Sequence, residues 1–125
     1  MDTKPGLFYT KSHEWVEFLD DTTALVGITD HAQHELGDLV FVNLPGVGDK
    51  LTAGKMFGDV ESVKAVSDVL APVSGTVAEI NEELLDKPEK VNESAYKAWF
   101  VKVENIAEHG DLLNANAYAA YCKSL

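Results

Sequence analysis

Lys64 lies between two segments in which apolar and polar residues alternate. The first runs from Met56 to Val60, and the alternation resumes from Val69 to Pro72. Alternation with a period of two predicts a β-strand on each side of the lysine, joined by a tight turn. The Lys64 amine would then project into water from a hairpin tip, on a long flexible stem. Because most exposed lysines are only solubilising charges, the surroundings of Lys64 must decide whether its amine has a chemical role.

Ser12, His13 and Glu14 offer a hydroxyl, an imidazole and a carboxylate side by side. These groups form the catalytic set of many hydrolases. However, neighbouring residues of a strand point to opposite faces, so the three side chains cannot converge on one substrate atom. We predict that this trio has no catalytic role.

Residues 29–37 are predicted to form one or two helical turns, capped by Asp30 and closed by Gly37. On such a helix His31 and His34 would share a face, as two metal ligands can. No third ligand is near them in sequence. The sequence therefore favours a solvated short helix over a metal site.

Cys122 is the only cysteine, so no disulfide can form within the chain. It follows an Ala-rich stretch whose larger apolar residues recur at helical intervals, which predicts an amphipathic helix over about 114–123, capped by Asn114. A redox-active thiol needs an electropositive, accessible setting that nothing in the sequence indicates. Cys122 is predicted to be a small core residue.

Short Val-rich segments punctuated by Gly, Pro and Asp indicate a mainly β fold, a sandwich or flattened barrel with small helices. Besides the hairpin of about 56–72, strands are predicted over 7–10, 12–18, 22–28, 38–44, 73–81 and 98–103. A short helix is predicted over 82–86, ended by Pro88.

The composition limits the classes of partner. The 125 residues are 46% hydrophobic, enough for one core, so residues 1–125 are predicted to form a single domain. The net charge of −11 and the lack of arginine argue against nucleic acid and membrane partners, and favour protein partners with basic surfaces. The amino terminus has no signal-peptide pattern, so we expect a cytoplasmic protein of bacterial type, with the mitochondrial matrix as the less favoured location. We also expect the chain to be a monomer.

Residues 58–75 closely resemble the lipoyl-attachment hairpin of the glycine cleavage system H protein family. The resemblance extends in the family's order through Ser12–Trp15, Gly27–Gln33 and Phe41–Pro45, and includes the Tyr-Cys pair near the carboxyl end. A hairpin lysine alone would be a weak signal, whereas this many segments in the same order are a strong one.

The resemblance implies a hybrid barrel-sandwich fold of the lipoyl and biotinyl type, with lipoate attached covalently to Lys64. It also implies a carrier and not an enzyme. The carrier would take an aminomethyl group from glycine decarboxylase to an aminomethyltransferase, and dihydrolipoamide dehydrogenase would reoxidise it. A lipoylating enzyme would be a fourth partner.

By the same resemblance, Ser12, Glu14 and Asp68 are expected to line a cleft that holds the cationic amine of the loaded arm. Their alternative roles are a turn hydroxyl, an exposed strand carboxylate and a hairpin-stabilising Asp. Glu61 and Ser62 flank the lysine and are candidates for recognition by the lipoylating enzyme. A role in turn formation and solubility is the alternative for these two.

Four other interpretations remain. Biotinyl carrier domains share the architecture but normally flank their lysine with methionines, whereas Val63 and Ala65 are the neighbours here. Lipoyl domains of 2-oxoacid dehydrogenases belong to longer chains and lack the Ser12–Trp15 hairpin and the terminal helix. The chain could also be an H-like relay that donates lipoyl groups to other enzymes, or an interaction module in which Lys64 is unmodified.

Overall fold

Val-rich alternating segments build nine strands, and short capped segments build four helices, in a computed structural model that describes residues 3–125. The elements in chain order are β1 (Phe8–Tyr9), β2 (Glu14–Asp20), β3 (Thr23–Ile28), α1 (Asp30–Leu36), β4 (Leu39–Asn43), β5 (Lys50–Leu51), β6 (Met56–Ser62), β7 (Val66–Leu70), β8 (Val73–Ile80), α2 (Glu83–Asp86), α3 (Glu89–Glu93), β9 (Val101–His109) and α4 (Ala115–Lys123).

Two antiparallel sheets form the framework. The larger has the order β1-β2-β3-β9-β8-β5 and the smaller has the order β4-β6-β7. The hairpin that carries Lys64 is therefore two of the three strands of the smaller sheet. The predicted mainly β fold with short helices and a terminal helix is confirmed.

The core lies between the sheets and is built from the apolar residues of each alternation. Val26, Val101 and Val103 of the larger sheet and Val60 and Val69 of the hairpin are each no more than 2% exposed, and they belong to one cluster. Burial of several such valines, each contributing about 1.5 kcal/mol or more, gives the hairpin a rigid base beneath its exposed tip.

A second cluster lies under α4. Leu7, Tyr9, Trp15 and Tyr118 are all buried there, and the Tyr9 and Tyr118 rings stack with centroids 4.6 Å apart. The terminal helix thus covers one edge of the larger sheet, as its amphipathic pattern predicts. Asn114 accepts a hydrogen bond from Ala117 N–H, so the predicted cap is confirmed.

The structure amends the predictions for two of the helical segments. The cap of α1 is Thr29, whose hydroxyl accepts from Ala32 N–H, while Asp30 is the first helical residue and its carboxylate accepts from the Gln33 side chain. Gly37 does close α1. The helix predicted over 82–86 is present as α2 and ends before Pro88, but Pro88 also precedes a further helix, α3, which was not predicted.

The last strand was also placed wrongly. It begins at Val101 and runs to His109, well beyond the predicted end at 103. Its second half is polar and exposed, and it forms because it pairs with β8, for example Thr76 with Glu104 and Val73 with His109. Across residues 3–125, no helix combines the length and apolar character needed to cross a membrane.

Candidate functional site

The hairpin turn around Lys64 is held by Ser62. The Ser62 hydroxyl accepts hydrogen bonds from the Ala65 N–H at 3.0 Å and the Lys64 N–H at 3.3 Å. The Ser62 N–H in turn donates to the Ala65 carbonyl at 2.8 Å. These bonds fix the direction in which the Lys64 side chain leaves the backbone.

The turn is also attached to the segment that follows α1. Val63 N–H donates to the Asp38 carbonyl at 3.1 Å. A Cβ on Gly37 would lie 3.4 Å from Lys64 Cε, so the lysine stem passes over a glycine, which has a φ of 82°. Lys64 is exposed, and within residues 3–125 its amine forms no ion pair or hydrogen bond. The backbone of the turn is therefore fixed while the amine is free to react.

The outward face of the smaller sheet flanks this lysine. Phe41, Glu61 and Val66 are opposite one another on adjacent strands, and Phe41 and Val66 are 60% and 66% exposed. Val63, at the turn itself, is 71% exposed. Glu61 is thus one carboxylate within an apolar surface beside Lys64, whereas the Ser62 hydroxyl is engaged by the turn.

Ser12 and Glu14 do lie together. The Ser12 hydroxyl donates to Glu14 Oε1 at 2.5 Å, and the Thr10 hydroxyl donates to the same oxygen at 2.7 Å. Both residues line a cleft of about 430 Å³, together with Leu70, Pro72 and other residues of this edge. Ser12 lies in the turn that precedes β2, which the bond from His13 N–H to the Thr10 carbonyl closes, and this turn brings its hydroxyl to the Glu14 carboxylate.

Glu14 is not the exposed strand carboxylate considered from the sequence, because only 2% of it is accessible. Burial raises the pKa of its carboxyl, and the hydroxyls of Ser12 and Thr10 partly offset that rise. Its second oxygen, Oε2, accepts from Leu70 N–H at 3.3 Å. Leu70 belongs to the edge strand β7, so this one carboxylate bridges the two sheets.

Asp68 is not among the residues that line the cleft, and it does not contact Glu14. It is exposed on β7, directly opposite Asp59 of β6. Asp68 and Leu70 are two residues apart on a regular strand and share a face. Asp68 therefore lies on that face between the cleft and the hairpin tip.

His13 points away from Ser12 and Glu14, but for another reason than the predicted strand alternation, because Ser12 and His13 lie in the turn before β2. Its φ of 72° is in the left-handed region, and its Nδ1 is 2.7 Å from the Tyr118 hydroxyl of α4. The trio is thus divided between two sides of the chain. It forms no catalytic set.

His31 and His34 form no site together, but the structure brings His31 close to His13 and Cys122, whose candidate ligand atoms lie within 4.8 Å of one another. The sequence interpretation missed this cluster because its three residues belong to distant parts of the chain. The relevant signal was the predicted terminal helix, which had to cover a sheet edge and so could bring Cys122 to the amino-terminal segment.

Comparison with known proteins shows which family the chain resembles over nearly its whole length. The family model described as "Glycine cleavage H-protein" matches residues 7–125. The chain is 58% identical over 123 residues to the "Glycine cleavage system H protein" of Lachnoclostridium phytofermentans, covering 98% of this chain and 97% of the relative. It is 58% identical over 125 residues to the "Probable glycine cleavage system H protein" of Pyrococcus furiosus, covering 98% and 93% of the two chains.

A solved structure shows the same fold. The crystal structure of a glycine cleavage system H protein from Mycobacterium marinum superposes with a TM-score of 0.92 at 39% identity, covering 98% of this chain and all of the other. Matches at this level of identity and coverage concern the whole chain and extend well beyond the hairpin.

Proposed function

The chain belongs to the glycine cleavage H-protein family, and from this premise we propose that it is a lipoylated carrier with the lipoyl group in amide linkage to Lys64 Nζ. It carries the aminomethyl group of glycine from glycine decarboxylase to an aminomethyltransferase, and dihydrolipoamide dehydrogenase then returns it to its starting state. The observation that carries the proposal is the Lys64 amine, which is exposed and unpaired on a turn whose backbone is fixed.

The geometry of the hairpin fits covalent attachment of a long arm. A lipoylating enzyme must reach the amine, and the tip of the hairpin presents it beyond the flanking strands. Amide formation removes the lysine charge, which costs little here because Lys64 has no ionic partner among residues 3–125. The exposed surface formed by Phe41, Glu61 and Val66 gives the enzyme a defined area to contact beside the lysine.

When bound, the lipoyl group supplies a cyclic disulfide that accepts the aminomethyl group, and the cofactors of the partner enzymes supply the remaining chemistry. The carrier needs no catalytic base of its own, in agreement with the divided Ser12, His13 and Glu14 set. Its residues provide a rigid platform, an exposed attachment point and a surface for partners. Tethering the group raises its effective concentration at the next active site.

The cleft formed by Ser12 and Glu14 is suited to hold the cationic amine of a loaded arm. From Ala65 to Leu70, five residues of extended strand span about 17 Å, so an arm that returns to the cleft runs along β7 and passes Asp68. Asp68 faces Asp59, a like-charge pair that does not stabilise the hairpin. A passing ammonium group would relieve this repulsion, and Glu14 would offer it a charged acceptor at the far end.

Intact-mass measurement after co-expression with a lipoylating enzyme tests the attachment. The wild-type chain should gain one lipoyl-sized increment, and Lys64→Arg should gain none. Lys50→Arg, which alters an exposed lysine on β5, is the matched control and should be modified like the wild type. An unmodified wild-type chain, or an increment that survives in Lys64→Arg, would contradict the proposal.

Reconstitution with purified glycine decarboxylase separates a glycine-cleavage carrier from a relay that only donates lipoyl groups. The lipoylated chain should support glycine-dependent exchange of carbon dioxide. A fully lipoylated chain that supports no exchange, yet passes lipoyl groups to other carriers, would establish the relay role.

Release of ammonia from the loaded carrier tests the cleft. Asp68→Asn and Glu14→Gln should each speed the loss of ammonia without preventing lipoylation. Unchanged release kinetics in both variants would exclude the cleft as the protecting site.

A further inference from the structure

Three side chains from three separate elements meet beneath the terminal helix. His13 comes from the segment before β2, His31 from the first turn of α1, and Cys122 from the last turn of α4. One nitrogen or sulfur atom of each lies within 4.8 Å of the other two, and all three residues are partly buried. The His13 and His31 rings are 4.5 Å apart between centroids.

A hydrogen-bond chain fixes one of the imidazoles. His13 Nδ1 lies 2.7 Å from the Tyr118 hydroxyl, which lies 2.7 Å from Thr29 Oγ1, and Thr29 Oγ1 also accepts from Ala32 N–H. If His13 Nδ1–H donates to the Tyr118 hydroxyl and that hydroxyl donates to Thr29 Oγ1, each of these three side chains has a hydrogen-bond partner. That arrangement leaves the lone pair of His13 Nε2 free, and it is the outer-shell support that metal-ligating histidines typically have.

A carboxylate is close to the cluster, because Glu35 lines the same cavity as His31 and Cys122. A nearby negative charge attracts a cation.

We propose that His13, His31 and Cys122 bind one Zn²⁺ ion. Two imidazole nitrogens and a thiolate suit this borderline-soft metal. From separations of up to 4.8 Å, an inward shift of up to about 0.8 Å per ligand atom would bring them to tetrahedral separations. Binding would release the thiol proton of Cys122 to solvent. The fourth position would face a cavity of about 340 Å³, which Glu35 and His34 also line.

Such an ion would join α4 to α1 and to the segment before β2. Lys64 and the residues of the cleft take no part in it, so the site is independent of the lipoyl carrier role. One competing zinc ligand must nevertheless be removed from any test, because a reduced lipoyl group would offer a dithiol. The full-length Lys64→Ala chain, which cannot be lipoylated, is therefore the background for each measurement.

Titration with Zn²⁺ against a chromophoric chelator tests the site. We expect one ion per chain with a dissociation constant in the micromolar range or below. In the same background, Cys122→Ser and His31→Gln should each weaken binding by about tenfold or more. His34→Gln is the matched control, since His34 lines the same cavity but is not in the cluster, and it should bind within about twofold of its parent.

Cobalt provides a spectroscopic check. Co²⁺ in this site should give a thiolate-to-metal charge-transfer band and the strong visible bands of tetrahedral cobalt, and Cys122→Ser should lose the charge-transfer band. Circular dichroism of the metal-free variants should match the parent, so that loss of binding is not loss of fold. Unchanged Zn²⁺ affinity in Cys122→Ser, equal weakening in His34→Gln, or one ion shared by two chains would each overturn the proposal.

Discussion

Glu14 shows at the residue scale how a sequence position acquires its properties from the fold. Its local sequence suggests an ordinary strand carboxylate, yet it is 2% exposed and accepts hydrogen bonds from Ser12, Thr10 and Leu70. The burial depends on the approach of β7, more than fifty residues away. No local pattern could have predicted it.

Protonation of Glu14 should stabilise the fold. The pKa of its carboxyl is raised above 4.5 in the folded chain, so between about 4.5 and the raised value the folded state binds more protons than the unfolded state. The free energy of unfolding contributed by Glu14 should therefore increase as the pH falls from 7 towards 4.5, by up to about 1.4 kcal/mol per pH unit.

Urea unfolding of wild type and Glu14→Gln at several pH values measures this contribution as a difference. The wild type should gain stability relative to Glu14→Gln as the pH falls. Glu17→Gln, on the same strand but partly exposed, is the control. The difference in the free energy of unfolding between the wild type and this variant should vary much less with pH. A Glu14 difference that is constant with pH, or that has the opposite sign, would contradict the predicted direction.

Ser62 should act through the turn. Ser62→Ala removes the acceptor for Lys64 N–H and Ala65 N–H. We expect kcat/KM of the lipoylating enzyme to fall by about two- to tenfold. The free energy of unfolding should change by about 1 kcal/mol or less. Ser67→Ala is the control, because its hydroxyl makes only a 3.4 Å bond to the neighbouring Asp68 carbonyl.

Rescue distinguishes the two roles left open for Ser62. Asn can accept the same main-chain bonds in a turn, so Ser62→Asn should recover most of the lipoylation rate. If Ser62→Asn is as slow as Ser62→Ala, the enzyme reads the serine directly.

At the scale of elements, the strands were largely predictable because their signal is local. Period-two alternation indicated β2, β3, β4 and the hairpin pair within a few residues. The second half of β9 was not predictable, because its polar residues form a strand only through pairing with β8. The helix after Pro88 was missed because a proline that ends one helix can equally begin another.

The helix α4 is fixed by a polar contact within an otherwise apolar interface. The Tyr118 hydroxyl lies 2.7 Å from both His13 Nδ1 and Thr29 Oγ1, and both Tyr118 and Thr29 are buried. Tyr118→Phe should lower the free energy of unfolding by about 1–3 kcal/mol, because it leaves buried polar atoms without a partner.

Urea unfolding checks this, with Tyr121→Phe as the control on the same helix. Tyr121 is only partly buried, and its hydroxyl has no partner within residues 3–125, so its loss should cost about 0.5 kcal/mol or less. Equal effects of the two substitutions would show that the hydrogen bonds of the Tyr118 hydroxyl do not stabilise the fold.

At the scale of the whole molecule, the candidate site divides into a part that the sequence could identify and a part that it could not. Lys64 was predicted as the attachment residue because the resemblance covers its entire hairpin, and its modification remains our proposal. The shared cleft of Ser12 and Glu14 was expected, but the separate position of Asp68 on β7 depends on strand register. The cluster of His13, His31 and Cys122 depends on where the terminal helix docks, which only the assembled fold determines.

The charge of −11 should affect how partners find the hairpin. Long-range attraction to a basic surface raises the association rate at low salt, and ions screen it over about 10 Å at 0.1 M ionic strength. We therefore expect the rate of association with the proposed partner, glycine decarboxylase, to fall several-fold between low salt and about 0.3 M salt, with a smaller change in the dissociation rate.

The position of the charge should matter as well as its sum. Glu61→Gln removes a charge beside Lys64. Asp21→Asn removes an equal charge from the β2–β3 turn, at the end of β3 that is remote from α1 and the Lys64 turn. Stopped-flow association at several salt concentrations should show a lower rate and a shallower salt dependence for Glu61→Gln. Asp21→Asn should stay close to the wild type, because its charge is screened from a partner docked at the hairpin. Equal effects of the two substitutions would indicate a response to net charge alone, and the face beside Lys64 would then not be the docking surface.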